Sequence, residues 1–249
     1  MIKIFRYGKV NPKETILIFG MGGGLGYIAK IVGDYLIESL NMKKIYSIIG
    51  DLFPYSVIVD DSIVNFLSAD IYYGKCNDKE LLVLSGESQP QDERAQYKFC
   101  EILFKILKKL NTKLLITIGG INVGVEPENP KVFIAGSSKE IVERFLSKDK
   151  SLDKSFFGSI VGLAGLLIPF ARIYKIDAIV LLAETIGHPA FVGLRGARSI
   201  LKTLNKILDL NIDLGKLEKE IEEKDKALEK YKKAKKMEFK KHEKVTYIG

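Results

Sequence analysis

Short β-branched runs separated by amphipathic stretches recur along this chain, and their alternation restricts its fold more than any single motif does. Residues 15–19, 44–49, 81–85, 114–118 and 178–182 are near-continuous apolar runs. Runs of this kind suit strands covered on both faces, as in a largely parallel sheet. Between them, residues 25–40, 94–110, 139–145, 160–174 and 194–208 repeat apolar positions at three and four, the spacing of one helical face. Strands alternating with helices place helices on both sides of a sheet, so the expected class is α/β, a three-layer α/β/α sandwich. Residues 56–73 read differently. There Val57-Ile58-Val59 and Ile63-Val64 flank Asp60-Asp61, which predicts two or three short antiparallel strands extending one sheet edge.

The 249 residues, 47% of them hydrophobic, are enough for one large body plus an appendage. The division falls at residue 213, giving an α/β/α domain over residues 1–213 and a helical arm and tail over residues 214–249. Residues 214–244 are almost entirely Lys, Glu, Leu and Ala, a long charged helix. Its narrow apolar stripe, Leu214, Leu217, Ile221, Leu228 and Tyr231, suits either a partner helix or second copy, or packing of the helix on its own domain. Much of the net charge of +8 lies in this arm. No aromatic–basic interleaving or reading motif accompanies the lysines, so no nucleic-acid partner is expected.

The most apolar stretch, residues 156–171, is shorter than a membrane span of about 20 residues and contains Gly162, Gly165 and Pro169. It reads as a buried helix, and no membrane partner is expected. The two cysteines, Cys76 and Cys100, lack the spacing of a zinc site or a disulfide framework. A reducing cytoplasm is the expected compartment, and neither a metal nor a cofactor is expected.

The cluster Gly20-Met-Gly-Gly-Gly-Leu-Gly26 stands between a strand and a helix, where a phosphate loop would stand. Neither dinucleotide nor P-loop spacing runs through it, which favours glycines used for tight packing. Of the two histidines, His242 lies in the charged arm and His188 follows a strand. Ser85 lacks a nucleophile elbow. No catalytic set emerges. The alternative function is a small-molecule enzyme or sensor with a ligand pocket at Gly22, Gly24, Gly26, Glu184 and His188.

Six segments occur in an order that resembles the archaeal proteasome-assembly-chaperone family. They are Gly20–Gly26 with Ile28-Ala29; Asp51-Leu-Phe-Pro54; Leu84-Ser-Gly-Glu-Ser-Gln-Pro90; Thr117-Ile-Gly-Gly120; the glycine-interrupted run 158–167; and Leu182-Ala-Glu-Thr185. The resemblance implies a nucleoside-phosphorylase-like three-layer fold without its catalysis and a homo-oligomeric, ATP-independent scaffold. It further implies proteasome subunits or a paralogous chaperone as partners, and an archaeal source. Some members of that family end in hydrophobic-Tyr-X, a tail that docks between proteasome α subunits. This chain ends Val245-Thr-Tyr-Ile-Gly249, with Tyr247 third from the end. The offset moves the terminal carboxylate by up to about 3.5 Å. The tail residues expected to bind a partner are Val245, Tyr247, Ile248 and Gly249.

Overall fold

The structure, a computed structural model, describes residues 1–90, 92–227 and 230. Its contacts divide the chain into Met1–Ile212 and Asp213–Gly249.

In the first unit, β1 (Ile2–Arg6), β2 (Thr15–Met21), α1 (Ile28–Ser39) and β3 (Lys43–Gly50) are followed by a hairpin, β4 (Val57–Asp60) and β5 (Ile63–Phe66). Then come β6 (Ser68–Cys76), β7 (Lys79–Gly86), α2 (Glu93–Lys109), β8 (Thr112–Asn122) and β9 (Val132–Gly136). The unit closes with α3 (Lys139–Lys148), α4 (Leu163–Ile173), β10 (Asp177–Thr185) and α5 (Leu194–Leu208). Eight strands form one sheet in the order β1-β3-β6-β7-β2-β8-β10-β9. Helices α1 and α5 pack together on one face, with α3 beside α5, and α2 and α4 pack together on the other. The expected α/β class with helices flanking a large central sheet is the observed one.

The sheet is mixed where a largely parallel one was expected. Only the central strands β7, β2, β8 and β10 run parallel to one another; β1, β3, β6 and β9 join the sheet through antiparallel pairs. Residues 56–73 do not extend an edge either. β6 enters the interior of the sheet between β3 and β7, and β4 and β5 form a separate two-stranded sheet. Apolar composition marks burial but carries no strand direction.

Local chemistry fixes the helix ends. Asp92 caps α2 by accepting from Ala95 N–H at 2.8 Å, and Ser138 caps α3 by accepting from Ile141 N–H at 3.3 Å. The expected buried helix over residues 156–171 begins only at Leu163. Gly162 has φ +87° and ψ −171°, a conformation nearly closed to side-chain-bearing residues, and Leu163 N–H donates to Gln89 Oε1 at 3.1 Å. Upstream of it the chain is irregular, with Phe157 100% and Val161 92% exposed.

In the second unit, a helix covers residues 215–227. Leu217 and Ile221 are buried and Leu214 is half-buried. Leu228, Tyr231 and the tail residues Val245, Tyr247, Ile248 and Gly249 lie outside the described residues.

Candidate docking surface

The hairpin β4–β5 exposes apolar side chains on both of its faces. Val57, Val59, Ile63, Val64 and Phe66 are each between 54% and 71% exposed, and Tyr55 at its base is fully exposed. A strand pair of alternating polar and apolar residues has one face for water and one for a core. This one has no polar face. Its register, from Val57↔Phe66 to Asp60↔Ile63, leaves Asp60, Asp61, Ser62 and Asn65 as its polar groups and places no cation on it. The edge strand β1 also exposes Ile4 and Phe5, followed by Tyr7.

A cleft of about 720 Å³ lies between this hairpin, α1 and the sheet. Both of its lysines are ion-paired, and its carboxylates outnumber them. Lys30 Nζ contacts Asp34 Oδ2 at 2.6 Å and Glu87 Oε1 at 2.9 Å, and Lys44 Nζ contacts Asp70 Oδ2 at 2.6 Å. Burial depresses both ammonium groups, yet the carboxylates outweigh it, so each lysine is held above its ordinary range. Lys44 also lies over the rings of Tyr7 and Tyr72, 5.8 and 5.9 Å from their centroids. Ser85 Oγ donates to Asp34 Oδ1 at 3.3 Å. Ion-paired groups of this kind hold α1 to the sheet and leave neither lysine poised near neutral pH as an acid or base.

The pocket residues expected from the sequence are not brought together. Gly22 N–H donates to Gly86 O at 2.8 Å, and a Cβ on Gly22 would strike the carbonyl of Glu87. Gly26 has φ +64°, and a Cβ there would stand 2.7 Å from Thr185 Oγ1. Both are packing positions. Glu184 Oε2 accepts from Lys131 N–H at 2.8 Å, and His188 Nδ1 accepts from Ala190 N–H at 3.2 Å on an exposed turn. Of the five residues, Gly24 lines the cavity at the carboxyl ends of the central strands, and the other four do not belong to its lining. Among the described residues no group of three or more His, Cys, Asp or Glu stands where it could hold a metal ion, and no helix is long and apolar enough to cross a membrane.

The hairpin residues were hidden in the sequence because an apolar run reads equally as a core strand. The available signal was the lack of any polar alternation on either side of Asp60-Asp61.

Residues 23–232 match the PAC2 family. The chain belongs to the PAC2 family. Within reach of this PAC2 chain is an uncharacterized protein of Methanocaldococcus jannaschii, 28% identical over 94% of this chain and 90% of its own length. The crystal structure of Pyrococcus furiosus PbaB, an archaeal proteasome activator, matches with a TM-score of 0.85 and 26% identity. That match covers 93% of this chain and 98% of PbaB. P. furiosus PbaA, an archaeal homolog of proteasome-assembly chaperone, shares the fold with a TM-score of 0.77 and 22% identity over 99% of both chains.

Proposed function

We propose that this PAC2 chain is a non-enzymatic docking protein of proteasome assembly or activation. Its α/β body self-associates through the β4–β5 hairpin, and its C-terminal segment engages proteasome subunits. The observation that carries this reading is the hairpin's exposed apolar surface in a chain 26% identical to a proteasome activator over nearly its whole length. Burying one such side chain contributes about 1.5–3 kcal/mol, so five of them form a strong association surface.

A second copy of the chain is the occupant that charge favours. The hairpin carries Asp60 and Asp61 without a cation, whereas the whole chain has a net charge of +8. An acidic-tipped apolar hairpin meeting a chain of net positive charge is a complementary, steered contact. The tail Val245–Gly249 then presents Val245, Tyr247 and Ile248 as apolar anchors and a terminal carboxylate, as the family resemblance implies.

The test is capture of proteasome subunits from cell extract by the full chain and by a chain lacking residues 245–249. Deleting only these residues leaves buried Leu217 and Ile221 in place. The reading predicts capture by the full chain and loss without the tail. Equal capture by both would remove the tail's role, and capture by neither would remove the proteasome as partner.

A further inference from the structure

The central sheet opens at one end. β2 and β8 are paired from Thr15↔Thr112 to Ile18↔Ile116 and no further. Yet β2 continues to Met21 against β7, and β8 continues to Asn122 against β10. The facing backbone edges beyond Ile18 and Ile116 therefore have no strand between them. The path of the chain accounts for the opening. From β2 it turns toward β3 on one side of the sheet, and from β8 toward β9, and then β10, on the other. Neighbouring strands whose connections leave in opposite directions create a crevice at their carboxyl ends, the place where open α/β sheets take ligands.

A cavity of about 630 Å³ occupies this opening. Phe19 and Met21 line it from β2, Ile118 from β8 and Leu182 from β10. Gln96 and Asn122 bring amide groups to it and Ser88 and Ser159 hydroxyls, and among the described residues its lining contains no charged side chain. Its volume lies within the roughly 300–1,000 Å³ typical of small-molecule sites, which likewise combine apolar walls with a few polar groups. A charged ligand would lose its hydration there without meeting a counter-charge.

Gly24 supplies an independent observation. Its backbone, φ −94° and ψ 167°, suits any residue, and a Cβ there would meet no heavy atom within 4 Å. Neither conformation nor packing requires a glycine, in contrast to Gly20, Gly22 and Gly26. What glycine preserves at this position is open space at the cavity.

We infer that the crevice between β2 and β8 binds a neutral small molecule with an aromatic or aliphatic body and amide- or hydroxyl-type hydrogen-bonding groups. This site is separate from the docking hairpin, and either can fail without the other.

The test titrates the full chain with N-phenyl-1-naphthylamine, a neutral apolar fluorophore. The inference predicts one saturable site per chain. Gly24→Leu and, on the opposite rim, Ser159→Leu each weaken binding by about tenfold or more, the scale of a misfit in an apolar pocket, with unchanged thermal unfolding. Val59→Asp on the hairpin leaves binding intact. Absence of saturable binding, full binding by both rim variants, or loss of binding in Val59→Asp would overturn it.

Discussion

Single residues decide how closely α1 and β2 approach. Gly20 and Gly33 face each other across that contact so tightly that a Cβ on Gly33 would stand 2.7 Å from Gly20 Cα. Gly33→Ala is expected to cost about 1–3 kcal/mol, the usual penalty for overpacking, read as a lower urea midpoint. Asp149, buried at the end of α3, accepts from Ser151 N–H at 3.0 Å, Ser151 Oγ at 2.6 Å and Lys206 Nζ at 3.2 Å. Burial alone would raise its carboxyl, but Ser151 and Lys206 outweigh burial and hold it below the ordinary range. A carboxyl depressed in the folded state stabilises above its unfolded value of about 3.9, and that stabilisation fades as pH falls through the folded value. Asp149→Asn should therefore cost about 1–3 kcal/mol at neutral pH by replacing charge-assisted hydrogen bonds from Ser151 and Lys206 with weaker neutral ones, with the gap from wild type narrowing under acid. A gap independent of pH would contradict this assignment. Cys100 is fully buried, and burial pushes its thiol up to about 12. Alkylation of Cys100 by iodoacetamide should follow unfolding and not precede it.

Among the elements, the β4–β5 hairpin carries the strongest functional consequence. Val59→Asp combined with Val64→Asp is expected to shift the full chain to smaller species in sedimentation, with little change in its thermal unfolding because both positions are exposed. Unchanged sedimentation would remove the hairpin as the self-association surface. The sequence made the core strands legible because buried runs such as Leu81–Leu84 are apolar throughout, and it made α2 legible because its apolar residues fall on one face. It concealed β1 and β9, short edge strands without a long apolar run. It also concealed the hairpin's separation from the main sheet, since Val57-Ile58-Val59 looks the same whether covered or bare. The start of α4 depended on one backbone conformation, at Gly162, that composition does not announce.

At the level of the whole molecule, the order of six short segments pointed to a proteasome-assembly-chaperone-like chain, and residues 23–232 place it in the PAC2 family. The geometry redistributed the candidate sites. Glu184 and His188 neighbour the crevice without lining it and serve local hydrogen bonds, while apolar hairpin residues with no chemical signature of their own became the candidate interface. Contacts that depend on shape and exposure are weakly written in sequence, whereas packing glycines and buried strands are strongly written. The central claim is that this chain docks onto proteasome subunits, and the most direct measurement is binding of purified, assembled proteasome core particles to the immobilised full chain. The account predicts saturable binding that is lost when residues 245–249 are removed and weakens with rising salt, as lysine steering requires. No binding by the full chain, at low salt and with its oligomer intact, would contradict it.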